Sequence, residues 1–205
     1  MVQRKEASEN AIQSSTEVHK SSGIAVQKAK WYIAECKQTR ERTLRTMLRK
    51  AGYEAYVATQ TETHVYKSRN RREVEKVIIP CRVFIRTEVE RLADIMVEYS
   101  SLYRFMLNKA ATLNEYGHKP FAFVPDSQMQ QLQYVLGQAE NPVFITAEEL
   151  KPEQKVRVMR GPLAGIEGGF WKKGTATYIV IKVEMGVSNY VYTEVQLDDV
   201  QLVKS

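Results

Sequence analysis

The chain has 205 residues, 43% of them hydrophobic, enough for one medium domain or two small ones with modest cores. With 30 Lys and Arg against 24 Asp and Glu, the net charge is +6 and the pI near 9.2, a balance that attracts polyanions yet leaves acids for protein-binding faces. No apolar run approaches the ~18 residues a bilayer crossing needs, and the polar start lacks a secretory core, so a cytoplasmic protein without a membrane partner is expected.

Residues 1–29 are rich in Ser, Gln, Lys and Glu and poor in large apolar side chains, which predicts a flexible tail. From Lys30 the pattern changes. Trp31, Tyr32, Ile33 and Ala34 form an aromatic and β-branched run suited to a strand. In the helix expected next, Leu44, Met47, Leu48 and Ala51 share one face, and Gly52 stands at the C-terminal cap. Extended stretches at 53–66 and 73–85 flank a polar, cationic segment and read as a long hairpin with a basic tip. Thr87 and Glu90 have capping-box spacing ahead of a second apolar stripe, Val89, Leu92, Ala93 and Met96, running as far as Tyr99. A strand over 102–107 follows. Pro125-Asp126 opens a third helix carrying Met129, Leu132 and Leu136, and Gly137 ends it.

Residues 138–151, with Asn141-Pro142 and a run of acids, read as a linker. Beyond Pro152 only short strands are expected, at 155–159, 166–171, 178–184 and 190–193, separated by Gly-containing turns as in a small β-barrel. Mixed elements followed by strands alone predict an α+β chain of two domains, 30–137 and 152–205, joined by the linker. Trp171 and Tyr178 are expected in the barrel core rather than as base-stacking platforms.

The stretch 156–168 carries Gly161-Pro162 and then Gly165 and Gly168. Gly161 and Gly165 are free to take positive φ and Pro162 fixes its own, so the chain can fold tightly back into the next strand. This segment resembles a KOW motif. Upstream, Trp31-Tyr32 leading to Cys36-Lys37, a basic helix closing at Gly52, and the run Ile78-Ile79-Pro80-Cys81-Arg82-Val83-Phe84-Ile85 resemble the N-terminal (NGN) domain of the NusG family. The resemblance spans about 30–202 and implies an antiparallel sheet with flanking helices, then a KOW barrel. A closer resemblance, to the UpxY-type antiterminators of surface polysaccharide operons, rests on Ile79-Pro80, the segment 121–129 with Pro125-Asp126 and Met129, and the 161–168 turn.

What the family resemblance implies is a transcription elongation and antitermination factor whose first domain grips the clamp region of RNA polymerase, at positions matching Glu35, Ile79, Arg82 and Phe84. Ile79 and Phe84 keep the apolar character. Arg82 stands where a tyrosine is usual and Glu35 where specialised members carry an aromatic, so the contact is partly polar, and Cys81 reads as a neutral packing substitution. The barrel's partner stays open among a ribosomal protein, the termination factor Rho and the chain's own first domain. A ribosome-associated or RNA-binding KOW protein is the alternative reading.

Lys37, Arg40, Arg42, Arg45, Arg49 and Lys50 surround a single acid over the first helix, and Lys67, Arg69, Arg71 and Arg72 crowd the hairpin tip. Non-template or upstream DNA is the polyanion such faces would meet beside a polymerase clamp, with contacts to phosphate rather than to bases. Catalysis is not expected: His19, His64 and His118 are scattered, no nucleophile motif surrounds them, and no phosphate-cradling Gly-x-x-x-x-Gly-Lys occurs. Neither Cys36 nor Cys81 has metal-ligand spacing with a histidine, so no metal or other cofactor is expected.

Overall fold

The computed structural model describes residues 28–65 and 71–203. The tail expected over 1–29 lies almost wholly outside the described residues, as does the hairpin tip at 66–70. In chain order the elements are β1 (Lys30–Cys36), α1 (Glu41–Lys50), β2 (Glu54–Tyr56), β3 (Thr59–Val65), β4 (Arg71–Val77), β5 (Arg82–Thr87) and α2 (Leu92–Glu98). They continue with β6 (Leu102–Phe105), β7 (Phe123–Val124), α3 (Asp126–Gln138), β8 (Val143–Thr146), β9 (Gln154–Val158), β10 (Glu167–Lys173), β11 (Ala176–Glu184), β12 (Ser188–Glu194) and β13 (Val200–Leu202). The expected α+β class holds.

The first sheet runs β2-β5-β1-β6, with β7 also on β1, and every pairing is antiparallel. Both faces of its central strand are apolar, so both are covered. Tyr32, Ala34, Cys36, Val83 and Ile85 share one buried cluster with Leu44 and Leu48 of α1 and Leu92 and Ile95 of α2. On the other side, Trp31, Ile33 and Phe84 join α3's Met129, Leu132, Val135 and Leu136 in a cluster that runs on without a break into Ile179, Ile181 and Val191 of the second sheet. That sheet has the order β13-β9-β10-β11-β12-β8.

Several expectations shift by local physics. Thr87 makes no capping box: it is buried as the last residue of β5, opposite Lys30, and a single 3-10 turn at Val89–Arg91 leads into α2. In α1 only Leu44 and Leu48 of the expected stripe are buried, and Met47 is 46% exposed. Gly52, at φ +88, ends that helix, and the Tyr53 amide donates back to the Leu48 carbonyl. Asp126 is the first helical residue of α3 without a side-chain cap, and its carboxylate pairs with Arg86 at 3.4 Å. Within the segment read as a linker, 143–146 form β8, paired with β12, because Val143 and Ile145 both turn into the shared core.

A buried amide fixes where that segment goes. Gln60 on β3 is 4% exposed; its Nε2 donates to the carbonyls of Ala139 (3.1 Å) and Asn141 (2.8 Å), and its Oε1 accepts from the Val143 amide (3.0 Å). One side chain thereby satisfies three backbone groups that have left the helix and not yet entered the sheet. Gln60→Ala orphans the Ala139 carbonyl and the Val143 amide and leaves the Asn141 carbonyl only the Thr193 hydroxyl at 3.4 Å; a loss of about 2 kcal/mol is expected in urea denaturation, with faster amide exchange at Val143.

Cys81 is the second constraint. It sits at φ +59, one of two non-glycine residues with positive φ among the described residues, in the turn between Ile79-Pro80 and β5. Its amide donates to Oε1 of the buried Glu41 (2.8 Å) and its carbonyl accepts from the Cys36 amide (3.1 Å). A neutral packing substitution was expected; the left-handed backbone instead makes this a strained position for any side chain. Cys81→Gly should therefore raise stability by about 1 kcal/mol, read as a higher urea midpoint.

Candidate functional site

The four residues expected to grip a partner do not lie on one surface. Glu35 and Arg82 face each other across the β1–β5 ladder, and Glu35 is also opposite Arg104 on β6. Arg82 approaches one Glu35 oxygen at 2.7 Å, and Arg104 hydrogen-bonds the other. A carboxylate between two guanidinium groups thus forms a row across three strands. The Arg104 hydrogen bond, with Arg82 behind it, holds the Glu35 carboxyl below the usual carboxylate range. Arg104 was missed in the sequence, because β6 reads as a short strand with no feature tying it to Glu35; its side chain is 72% exposed.

Ile79 and Phe84 are different. Ile79 is 7% exposed and Phe84 fully buried, both in the cluster shared with α3 and the second sheet. They support the sheet from beneath and reach no surface as the chain stands. The exposed apolar groups nearest in sequence to the charged row are Tyr103, 61% exposed, and Leu107 and Phe121, paired across an isolated bridge beyond β6.

The basic helix is partly spoken for. Arg45 makes a two-pronged contact with Glu75 on β4 (2.9 and 3.2 Å), Arg42 donates to the Glu75 carbonyl (3.2 Å), and Arg49 donates to the Ala55 carbonyl (2.7 Å). Arg42 and Arg45 fasten the β3–β4 hairpin to the helix and Arg49 fastens β2, so half of the cations read as a solvent-facing patch are structural. Arg45 and Thr59 together hold the Glu75 carboxyl low. Lys37, Arg40 and Lys50 are exposed without an ion-pair partner among the described residues, and Arg72 is exposed at the far end of the hairpin. Lys67 and Arg69 lie outside the described residues; Arg71 is placed only as backbone, opposite Val65.

In the second sheet, Gly161 and Gly165 take φ of +80 and +91, and the Gly165 amide closes back on the Val158 carbonyl at 2.8 Å. Gly168 is required for a different reason: a Cβ there would stand 2.6 Å from the Val180 carbonyl oxygen. Leu163 and Ile166 plug the turn, while the Tyr134 hydroxyl of α3 donates to the carbonyls of Pro162 (3.2 Å) and Ala164 (3.4 Å). This turn is pinned to the helix that also covers the first sheet.

Trp171 and Tyr178 are not core. They stand half-buried on the outer face of the sheet, with their rings 5.3 Å apart. The sequence concealed this because β11 is apolar on both faces at 178–181. The Cys36 thiol is pushed up to about 12 by burial, so it stays protonated near neutral pH. His118 is exposed in the 107–121 loop; the side chains of His19 and His64 lie outside the described residues. Among those residues, no helix is long and apolar enough to cross a membrane.

A family model described as "Transcription termination factor nusG" matches residues 29–154. No curated protein matches the chain. Among solved structures, the chain is similar to one titled "Crystal Structure of MjSpt4:Spt5 complex conformation A", at 9% identity over 85% of this chain and 99% of that one, with a TM-score of 0.26. That likeness is too loose to place any element.

The depressed Glu35 carboxyl sets a pH test. A group whose folded pKa lies below its unfolded value stabilises above the ordinary carboxylate range, about 4, and loses that contribution as pH falls through its folded titration. Glu35→Gln should lower the urea midpoint at pH 7, and the gap from the parent chain should close progressively as pH drops below about 4.

Proposed function

This chain belongs to the NusG family of transcription factors, and from that premise we propose that it binds RNA polymerase at the clamp region and promotes processive, antiterminated transcription of particular operons, surface polysaccharide operons among them. The family match over 29–154 carries the reading. No bond is made or broken. The factor acts by binding the closed, elongating state of the polymerase better than the paused or opened one, which shifts the population towards elongation.

The geometry supports one way of making that grip. With Ile79 and Phe84 inside the core, the surface offered to the clamp is the β6 edge, where Arg104, Glu35 and Arg82 form a charged row beside exposed Tyr103. A desolvated aromatic with flanking charges suits a specific protein contact, the ring supplying area and the charges fixing register and partner choice. Lys37, Arg40 and Arg72, with Lys67, Arg69 and Arg71 towards the hairpin tip, would meet the phosphates of non-template or upstream DNA. The KOW turn, with Gly161, Pro162, Gly165 and Gly168, is tied by Tyr134 to the first domain, which favours that domain as the resting partner of the barrel over a ribosomal protein or Rho.

Reconstituted transcription over a terminator, on native leader templates with and without the protein, tests the reading: increased read-through is expected, and unchanged pausing and read-through would sink it. Arg104→Glu combined with Tyr103→Ala, both at exposed positions, should abolish copurification of RNA polymerase while leaving the far-UV circular dichroism intact. Arg40→Glu with Arg72→Glu should weaken binding to an elongation complex at low salt and flatten its salt dependence, since fewer counterions are released.

A further inference from the structure

The two cysteines of the chain, Cys36 and Cys81, meet where the β1–β5 ladder ends. Glu35 pairs with Arg82, so the next step of the same antiparallel register sets Cys36 opposite Cys81. The Cys36 amide donates to the Cys81 carbonyl at 3.1 Å, one of the two bonds that such a pair exchanges. The other bond is replaced: the Cys81 amide donates instead to Oε1 of buried Glu41 at 2.8 Å. Cys36 is buried in the cluster of Tyr32, Ala34, Leu44 and Val83, while Cys81 is half-buried in the turn that leads into β5.

Opposed residues of an antiparallel pair hold their Cβ atoms about 4.5–5.5 Å apart, and a disulfide needs about 3.5–4.5 Å, so the gap to close is roughly 1 Å. Closing it breaks no ladder bond of the Cys81 amide, which is held by a side chain and stands one residue before β5 begins. The two thiols also sense each other. Burial first, then the charges of Glu41 and Cys81, push the Cys36 thiol up to about 12. Cys36 is therefore the protonated inner partner, and Cys81 the one that an external reagent reaches. The same turn carries part of the charged row: Arg82 Nη1 donates to the Cys81 carbonyl at 3.1 Å while its Nη2 lies 2.7 Å from Glu35.

We propose that Cys36 and Cys81 are a redox modification site, closing into a reversible intrachain disulfide at the expense of a low-molecular-weight disulfide. The Cys81 sulfur, as thiolate, attacks one sulfur of the reagent. The reagent's S–S bond breaks, a mixed disulfide forms at Cys81, and the departing thiolate takes up a proton in place of the one Cys81 lost to water. The Cys36 sulfur then attacks the Cys81 sulfur, its proton passes to the second departing thiolate, and the protein disulfide closes. Two protein thiols are oxidised and one small disulfide is reduced to two thiols. The bridge stands on the left-handed backbone of Cys81, at φ +59, and strained bridges belong to the readily reduced, regulatory class. Its effect is to fasten the turn beneath Arg82 to the central strand of the first sheet.

Incubation of the reduced full chain with glutathione disulfide tests the site. Trypsin under non-reducing conditions should release peptide 31–37 joined to peptide 77–82, the intact mass should fall by two hydrogens, and dithiothreitol should reverse both. The glutathione adduct at Cys81 should appear first and decay as the linked peptide grows. The oxidised chain should show a higher urea midpoint than the reduced one, since the bridge closes a long loop of the unfolded state, and slower amide exchange at Cys36. Cys81→Ser, at a half-buried position, should keep the parent's far-UV circular dichroism and lose both the linked peptide and the shift in midpoint. An adduct that persists at Cys81 while Cys36 stays reduced, thiols that remain unmodified in the folded chain, or linkage only between two chains would overturn the proposal. So would an oxidant-dependent midpoint shift of equal size in the Cys81→Ser protein. None of these readouts involves the polymerase, so this inference and the polymerase reading fail separately.

Discussion

Helix α3 is the part on which the rest of this molecule depends. Met129, Leu132, Val135 and Leu136 are all buried, and the helix packs on β1, β3 and β11. These residues form one broad apolar stripe that meets the first sheet on one side, and a second layer closes over the remainder of it. Here the second sheet supplies that layer. Burial at roughly 25 cal/mol per Å² drives such docking without direction, and polar contacts then choose the register. The Gln128 side chain accepts from the Glu184 amide, Tyr134 reaches the glycine turn, and Gln60 receives the chain as it leaves the helix.

The consequence reaches the first sheet. Because one face of its central strand packs with α1 and α2 and the other with α3, the apolar residues of 79–84 have no free face to present. An apolar grip and an α3-covered sheet are competing uses of the same side chains. What remains open is the β6 edge, and an edge is suited to charge: its unpaired backbone is hydrophilic, and arginines there discourage edge-to-edge association. Glu35 between Arg82 and Arg104 fits that setting, and each surface pair is worth little alone but fixes geometry when shared.

Much of the fold could be read from the chain because its signals are local. The β1 run at 31–34, the Gly52 stop, Met129 on the inner side of α3 and the positive-φ glycines at 161 and 165 each depend on a few neighbouring residues. What escaped depends on partners far away. Thr87 and Glu90 have the right spacing for a cap, yet Thr87 is taken by the ladder with Lys30; β8 looked like linker because its partner strand lies some 45 residues further on, near Thr193 and Tyr190. The site residues divide in the same way. Glu35 and Arg82 were legible as polar departures, but which face they occupied was not, and Arg104 becomes visible only once β6 is known to lie beside β1.

The aromatic face shows why two-sided strands defeat pattern reading. Between Tyr178 and Ile181 every residue is apolar or aromatic, so period-two alternation carries no information about which side is wet. The question is decided elsewhere, by Gly168 and Gly169. A Cβ on Gly168 would strike the Val180 carbonyl, and one on Gly169 would overlap Pro152, which forces β10 close to its neighbour on one side and to the incoming chain on the other. With the inner face committed to α3 and the Pro152 segment crossing one end of the outer face, the rings of Phe144, Trp171, Tyr178 and Tyr192 are left as the uncovered remainder of that face. The same docking that removes Ile79 and Phe84 from the surface therefore leaves an aromatic surface on the opposite side of the second sheet.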